Sequence, residues 1–300
     1  MRLWIDTDVG SDVDDALAIA YALRHPALEL VGVSTVFGDV SLRGRIAARL
    51  LALAGRSDIP VVEGLGAPLT PGRQGRMFGH EGLGVVDEPA PRMITESDPD
   101  RDARVEALAA ELEASGAEAL LAIGPATNVG ALAAAGHPLP ALTFMGGKLT
   151  DVTLPGMIEA IPEWNWWCDP VAVQHALSAQ QASAPRVIPA EVTFGTRLPQ
   201  GDIDKLAAGD PLAAQLAVLC GHWLDAQRDR LGSTHPAVLL HDPLAAATLV
   251  ESQLAPFATR HVRVDTRGHT HHEPGGAAVE VATGVDNDAL RAHLLGVWLG

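Results

Sequence analysis

Cysteine and lysine are nearly missing from this chain of 300 residues. The two cysteines, Cys168 and Cys220, are too few for a disulfide framework or a cysteine-rich zinc module. The two lysines are Lys148 and Lys205, so a mechanism that depends on a catalytic lysine has few candidates. These absences exclude small disulfide-bonded folds and weaken the case for lysine-based catalysis.

The chain also has few positively charged residues and no long apolar runs. Asp and Glu number 37 against 21 Lys and Arg, which gives a formal net charge of −16. Because nucleic acids and anionic membranes are themselves negative, such a chain is a poor general binder of either. Charged residues, Gly or Pro interrupt the apolar runs well before the ~20 residues of a membrane span. Residues 1–6 show no secretory signal, so we expect a cytoplasmic protein without nucleic-acid or membrane partners.

What the chain does contain is 47% hydrophobic residues, arranged as alternating strands and helices. Asp14 to Arg24 places apolar side chains on one helical face, directly after a short apolar strand. Alternation at this spacing predicts right-handed βαβ units and a parallel sheet. The predicted strands are 3–5, 28–36, 60–62, 119–123, 141–145 and 186–188, and the predicted helices are 14–24, 41–54, 129–135 and 169–178.

The remaining segments predict a lid and additional helices. Residues 64–101 are rich in Gly and Pro, and a loop of that length is more often an active-site lid than a linker. Residues 202–250 are mostly helical in pattern. Strand-like runs at 258–265 and 277–283, joined by a polar turn, precede a final helix at 288–298. We therefore predict one α/β domain over residues 1–300, with a mostly parallel, open, Rossmann-like sheet, flanking helices and a helical insertion near the site.

The strongest local signal is an acidic loop where the first strand ends and the first helix begins. It reads Asp6-Thr7-Asp8-Val9-Gly10-Ser11-Asp12-Val13-Asp14-Asp15. Ligands of open parallel sheets bind at the carboxyl ends of the strands, which is where this loop lies. Five neighbouring carboxylates repel one another unless a cation compensates, and oxygen ligands without His or Cys favour Ca²⁺ or Mg²⁺. The loop therefore predicts a metal or sugar site.

Helix capping, an EF-hand and a phosphatase nucleophile are three alternative roles for the acidic loop. Asp12 can cap the first helix while Asp14 and Asp15 oppose its dipole, although this leaves Asp6 and Asp8 without a role. An EF-hand fails, because a loop starting at Asp6 lacks the required Gly and Glu at its sixth and twelfth positions. An apolar strand followed by Asp-x-Asp also opens the haloacid-dehalogenase phosphatases, with Asp6 as nucleophile, but the later acidic pair that follows a lysine in those enzymes is missing here.

Taken together, the motifs resemble those of the inosine–uridine-preferring nucleoside hydrolases over nearly the whole chain. The acidic loop is similar to the family's opening signature, with two additional residues before the Asp pair. Six segments in the right order make the resemblance specific, although each alone is weak. Besides the acidic loop, they are Thr35-Val36-Phe37-Gly38-Asp39, Gly124-Pro125-Ala126-Thr127-Asn128, Met145-Gly146-Gly147, Glu163-Trp164-Asn165 and His241-Asp242-Pro243-Leu244-Ala245.

The resemblance implies a Ca²⁺-dependent enzyme that hydrolyses the N-glycosidic bond of ribonucleosides to ribose and free base. Asp8 would activate a calcium-bound water, and His241 would assist the departing base. It also implies a homo-oligomer, as a dimer or tetramer. The implied calcium ligands are the carboxylates of Asp8, Asp15 and Asp242 and the carbonyl of Thr127, and the implied ribose contacts are Asp14, Glu163 and Asn165.

Two departures from the family pattern leave base preference open. Asp39 stands where the family commonly has Asn, so a hydrogen-bond donor near the sugar is replaced by an acceptor. In Phe78-Gly79-His80-Glu81-Gly82-Leu83-Gly84, Phe78 replaces the His of the base-pocket loop and His80 follows two residues later. We predict that Phe78 packs against the base or the lid, and that His80 or His241 makes polar contacts to the base. A non-catalytic nucleoside- or sugar-binding protein on the same fold is the third class to consider.

Overall fold

A nine-stranded sheet forms the centre of the computed structural model, which describes residues 1–87, 94–153, 161–180 and 183–300. Its strands are β1 (Arg2–Thr7), β2 (Glu29–Thr35), β3 (Val61–Glu63), β6 (Ala119–Ala122), β7 (Ala141–Met145), β8 (Arg186–Ile188), β9 (Phe257–Val264), β10 (Thr270–His272) and β11 (Ala277–Ala282), and β4 (Gly75–Arg76) and β5 (Ile94–Thr95) form a separate small hairpin.

Helices lie on both faces of this sheet. They are α1 (Asp14–Arg24), α2 (Val40–Leu53), α3 (Arg101–Ser115), α4 (Thr127–Ala134), α5 (Trp164–Cys168), α6 (Pro170–Ser178), α7 (Ala190–Thr193), α8 (Gln200–Ala207), α9 (Pro211–Asp229), α10 (His241–Thr248) and α11 (Asn287–Leu299), with a 3-10 turn at Ser252–Leu254. None of the helices in the described ranges has both the length and the hydropathy needed to cross a membrane.

The strand order confirms the predicted α/β fold with its mostly parallel open sheet. The order is β10-β9-β11-β8-β7-β6-β1-β2-β3, and every pairing from β11 to β3 is parallel. β9 runs antiparallel to both β10 and β11 at one edge. Parallel neighbours need crossover connections, which the helices supply.

Side chains of β1 show why the sheet divides the interior into two layers. Leu3 and Ile5 belong to the core beneath α1, α2 and the late helices, whereas Trp4 belongs to the core beneath α3, α4 and α6. Successive side chains of a strand point to opposite faces, so a strand buried on both sides is apolar throughout. The Trp4 indole N–H is satisfied by donating to the Ser34 hydroxyl at 3.0 Å.

Most predicted elements are present with nearly the predicted bounds, including the helical insertion, which forms α8, α9 and α10. The polar turn predicted at 266–276 is wrong in part, because β10 forms within it and pairs with β9. Helix α3 was not predicted; its outward face is charged and only Val105, Leu108 and Leu112 are buried. The predicted lid contains β4 and β5, and its residues 88–93 lie outside the described residues.

Candidate active site

The candidate site lies at the carboxyl ends of three neighbouring strands. β1 pairs with β2 on one side and β6 on the other. The chain therefore leaves all three strands at one edge of the sheet, into residues 8–13, 36–39 and 123–126. The backbones approach closely here, since a Cβ added to Gly124 would lie 2.8 Å from the Asp8 amide nitrogen. Only a residue without a side chain permits this approach.

Three carboxylates from two helices meet at this edge. Asp14 and Asp15 lie in the first turn of α1, and Asp242 lies in the first turn of α10. One oxygen of each lies within 4.8 Å of the other two, and all three residues are buried. Helix N-termini carry partial positive charge that favours anions, but only by a modest amount. The structure thus joins two parts of the chain that the motifs had singled out separately.

Burying this acidic cluster is unfavourable without a compensating cation. Burial, followed by repulsion from Asp8 and Asp14, raises the pKa of Asp15 well above its usual range. Burial and repulsion from Asp14 and Asp15 do the same for the pKa of Asp242. A cation among these groups would replace repulsion by attraction, and oxygen donors suit a hard ion such as Ca²⁺. The donor set therefore fits a divalent metal ion.

The predicted capping of α1 by Asp12 is wrong, although Asp14 and Asp15 do lie in the first turn of the helix, as that alternative expected. The residue that precedes α1 is Val13, and no side chain caps the helix. Asp12 instead accepts a hydrogen bond from the adjacent Val13 N–H at 2.5 Å. Asp242 is also not an N-cap, because α10 already begins at His241 and Leu240 precedes it. Asp15 accepts a hydrogen bond from the Thr7 hydroxyl and Asp14 accepts one from the Asp15 N–H at 3.2 Å, which leaves much of the acceptor capacity of these carboxylates for a ligand or a metal.

Arg43 is a site residue that sequence reasoning missed. It is fully buried in α2, and its guanidinium lies 3.8 Å from the Asp8 carboxylate. The guanidinium also donates to the backbone carbonyls of Asp8 and Val9. Burial raises the pKa of Asp8, whereas the charge of Arg43 lowers it. The positive charge of Arg43 therefore partly offsets the effect of burial on the pKa of Asp8, and its hydrogen bonds orient the loop that carries Asp8.

The same arginine also holds the loop after β2. Its Nε donates to the Phe37 carbonyl at 2.6 Å, and Phe37 has a φ of +66°, an uncommon value for a residue other than glycine. The sequence carried one usable signal for this role. Arg43 lies one turn before the buried Ile46 and Ala47 on the inward face of α2, where an unpaired charge would be costly.

Glu163 and Asn165 lie at the start of α5, next to the carboxyl ends of β6 and β7. The Glu163 carboxylate accepts hydrogen bonds from the backbone N–H groups of Asn165, Trp166 and Gly147 at 2.7 to 2.9 Å. Burial raises its pKa to about 7, with those hydrogen bonds opposing. The Asn165 amide donates to the carbonyls of Ile123 and Met145. Both side chains are therefore held rigidly at the edge where the acidic cluster lies.

Thr127 is the first residue of α4 and is completely buried. Its hydroxyl donates to Asp169 at 2.7 Å, and the same carboxylate accepts from the backbone of Leu69 and Thr70 in the lid segment. The neighbouring Asn128 amide donates to Asp6 at 2.7 Å. This network joins the β6 end of the site to β1 and to the base of the lid.

Asp39, Phe78 and His80 lie in loops around the acidic cluster. Asp39 caps α2 by accepting from the Leu42 N–H at 3.0 Å. Phe78 packs against Trp164 with ring centroids 5.7 Å apart and stacks on His80 at 6.1 Å. The buried His80 donates through Nε2 to the Ser11 carbonyl at 2.7 Å. The lid segment thus contacts both the acidic loop and the α5 segment.

Glu81 fixes the shape of this lid segment and was also missed. Its carboxylate accepts from the backbone N–H groups of Phe78 and Gly79 at 2.7 and 2.8 Å and from the Ser11 hydroxyl at 3.1 Å. Burial opposes its ionisation, but these donors and nearby positive charge bring its pKa below the usual value. The ionised carboxylate of Glu81 thus connects the lid segment to the acidic loop.

His241 begins α10 immediately before Asp242 and packs edge-on against Phe194 at 5.0 Å. Its Nδ1 lies 2.6 Å from the Thr193 hydroxyl. Burial lowers its pKa to about 4, so the imidazole is neutral at neutral pH. The same hydroxyl lies 3.3 Å from the Ala190 carbonyl, and a neutral imidazole carries a single ring hydrogen, on Nδ1 or on Nε2.

Comparison with known proteins identifies the family to which this chain belongs. The model of the inosine-uridine preferring nucleoside hydrolase family matches residues 3–292. The chain belongs to this family. The enzyme is therefore a nucleoside hydrolase, which cleaves N-glycosidic bonds, and the resemblance inferred from its motifs is confirmed.

Relatives and solved structures agree with this assignment. The enzyme is 31% identical over 283 residues to uridine nucleosidase 1 of Arabidopsis thaliana, covering 89% of this chain and 79% of that protein. It is also 31% identical over 287 residues to the pyrimidine-specific ribonucleoside hydrolase RihA of Salmonella arizonae, covering 89% and 86%. A plant nucleoside hydrolase superposes with a TM-score of 0.80 at 25% identity, covering 100% of this chain and 99% of that one. The fold is shared as well with a purine-preferring ribonucleoside hydrolase from Gardnerella vaginalis, at a TM-score of 0.80 and 24% identity, covering 100% and 98%.

Proposed function

We propose that the enzyme is a Ca²⁺-dependent ribonucleoside hydrolase in which Asp8 is the general base. The observation that supports this most directly is the buried cluster of Asp14, Asp15 and Asp242, with Asp8 beside it and Arg43 as a buried counter-charge. A bound Ca²⁺ would supply positive charge and hold a water and the ribose hydroxyls in fixed positions. Asp8, Asp15, Asp242 and the Thr127 carbonyl would hold the ion.

The chain's own residues then account for the reaction. Asp8 takes a proton from the water that attacks the anomeric carbon, and the nearby charge of Arg43 favours the ionised carboxylate that this role requires. Cleavage of a glycosidic bond passes through a positively charged, oxocarbenium-like sugar. Carboxylates around the ribose stabilise that charge as it develops, which is the kind of interaction that raises kcat. Asp14, Glu163 and Asn165 hold the ribose hydroxyls.

His241 assists the leaving group as an uncharged donor. Its lowered pKa rules out an imidazolium as the main form at neutral pH. We assign the ring hydrogen to Nε2, with Nδ1 facing the Thr193 hydroxyl at 2.6 Å, so that Nε2–H donates a hydrogen bond to the departing base and stabilises the negative charge that develops on it. Phe78, Trp164 and His80 supply apolar and polar surface near the base, and Asp39 accepts from the sugar.

The first experiment measures the release of reducing sugar from a panel of purine and pyrimidine ribonucleosides, with Ca²⁺ and with a chelator. Uridine is the first substrate to test, because the two relatives described above are named for uridine or pyrimidine ribonucleosides. We expect Ca²⁺-dependent release that the chelator abolishes. Ca²⁺ binding without release from any nucleoside would instead indicate the non-catalytic sugar- or nucleoside-binding class.

A His241→Ala variant tests the leaving-group step. Turnover of natural nucleosides should fall about 10²–10³-fold, the range that one preorganised hydrogen-bond donor to a developing charge contributes. A 4-nitrophenyl riboside, whose phenolate leaves without a proton, should be cleaved at a rate within about threefold of wild type. Equal losses on both substrates would assign His241 to sugar binding or to folding instead.

The phosphatase alternative conflicts with the position of its nucleophile. Asp6 is 1% exposed, and its Oδ1 accepts hydrogen bonds from Ser34 at 2.5 Å and Asn128 at 2.7 Å. A phosphate ester cannot reach that carboxylate without dismantling the network. Asp6 instead links the end of β1 to β2 and to α4 through these hydrogen bonds.

A further inference from the structure

A second group of metal-ligating side chains lies at the other end of α1. Tyr21 is in the last turns of the helix, and His25 follows as its C-cap, extended because Pro26 cannot continue the helix. Glu251 follows α10, and His293 lies in α11. Since α1 begins with Asp14 and Asp15 and has 11 residues, its two ends are about 16 Å apart. This His–Glu–His cluster is therefore separate from the acidic cluster.

We propose that His25, Glu251 and His293 form a binding site for one divalent transition-metal ion of the zinc type. One ligand atom of each residue lies within 4.8 Å of the other two. His25 Nε2 is 3.8 Å from the Glu251 carboxylate, and the two imidazole centroids are 5.7 Å apart. Ligands of one tetrahedral zinc ion lie roughly 3.3 Å apart, given bonds near 2.0–2.1 Å. The cluster needs only a small contraction to reach that geometry.

The donor chemistry separates this site from the calcium site. Two imidazoles and one carboxylate suit Zn²⁺ and its neighbours in the first transition series, whereas Ca²⁺ prefers oxygen ligands alone. Burial, with repulsion from His293, lowers the pKa of His25, so its ring is uncharged and available at neutral pH. The side chain of Glu251 is 30% exposed, which leaves a route for the ion from solvent and a position for a water ligand.

One hydrogen bond orients a ligand of this site, and a second one is lost when a metal binds. Tyr21, whose ring packs against both imidazoles, bonds through its hydroxyl to His293 Nε2 at 2.8 Å, the kind of outer contact that orients a ligating imidazole. His25 Nδ1 accepts from the Ala27 N–H at 3.2 Å. A metal on Nε2 moves the ring proton to Nδ1 and displaces this bond. The site therefore selects ions with high imidazole affinity over Ca²⁺ and Mg²⁺.

An ion held here would connect three segments that are distant in sequence. It would join the end of α1 to the turn after α10 and to the C-terminal helix α11. Metal that binds the folded state alone raises the unfolding temperature. Zinc at this position would therefore stabilise the fold without entering the reaction.

The test is zinc binding by the full chain saturated with Ca²⁺, measured by calorimetry and by thermal unfolding. We expect one zinc ion per chain, a raised unfolding temperature, and affinity at least about tenfold weaker in His25→Ala, His293→Ala and the conservative Glu251→Gln. Nucleoside hydrolysis should be unchanged in Glu251→Gln, which confirms that this variant folds. Bound Co²⁺ should show the visible absorption of a tetrahedral site in wild type and lose it in these variants.

The matched control concerns another histidine group, His269, His271 and His272, on the exposed hairpin of β9 and β10. Replacing these three with Ala should leave zinc affinity and the thermal shift intact. Zinc binding that disappears in the hairpin variant, or that persists unchanged in His25→Ala and Glu251→Gln, would overturn the proposal.

Discussion

Replacing Asp8 with Asn should lower kcat for the best ribonucleoside about 10³-fold, within the range of general-base catalysis. The amide has nearly the same shape as the carboxylate but cannot accept a proton from water. Asp8 is 6% exposed, and Arg43 holds its backbone carbonyl, so the substitution should leave the loop in place. The measurement is the rate of reducing-sugar release at saturating Ca²⁺, with kcat and KM determined separately.

Asp12→Asn is the matched control for this prediction. Asp12 lies in the same loop and is also an aspartate, but its carboxylate accepts a hydrogen bond from the adjacent backbone N–H. Its loss should change kcat by less than about tenfold, well below the contribution of a general base. If both variants lose activity equally, the loop's total charge matters more than a single base. A kcat of Asp8→Asn within tenfold of wild type would assign proton transfer to another group.

Calcium should stabilise the enzyme, and it should do so more strongly at pH 8 than at pH 5. The pKa values of Asp14, Asp15 and Asp242 are raised by burial and mutual repulsion. The metal-free folded state therefore binds more protons than the unfolded chain, whose carboxyl groups titrate near pH 4. Its stability must fall as the pH rises from about 4 toward the raised pKa values. Bound Ca²⁺ replaces those protons and removes the decline.

Thermal unfolding with Ca²⁺ and with a chelator, between pH 5 and pH 8, measures this effect. At a Ca²⁺ concentration 100 times the Kd, the stabilisation should be about 2.7 kcal/mol. Asp15→Asn should lose most of the Ca²⁺ effect and flatten the pH dependence of the metal-free protein.

Asp202→Asn is the control for this second prediction. Burial alone would raise the pKa of Asp202, but hydrogen bonds from Lys205 and Arg291 bring it below the usual value. This variant should be less stable yet keep the full Ca²⁺ shift, because Asp202 lies in α8 and outside the acidic cluster. A Ca²⁺ shift that is the same at both pH values, or that survives Asp15→Asn, would contradict the cation assignment.

The sequence alone determined most of the strands and helices along the chain and one side of the candidate site. Periodicity reports which residues face the core, and it located α1, β7 and β8 to the residue. The acidic loop could be assigned to the site because the carboxyl ends of parallel strands open on one edge. The order of the motifs indicated the family, and the resemblance to that family implied that Asp242 is a metal ligand. All of these signals are local in the chain or depend on residue identity.

The tertiary structure decided which distant groups meet. Asp14 and Asp242 are separated by more than two hundred residues, and only the packing of α1 against α10 places their carboxylates together. Arg43 did not stand out in the sequence, because a charge on a helix is usually solvated, and its burial depends on the loops that cover it. Tertiary packing likewise decides the contacts of Glu81 with the lid segment. It also brings together His25, Glu251 and His293. Such contacts join elements whose spatial neighbours follow from strand order and helix packing, which no local pattern encodes.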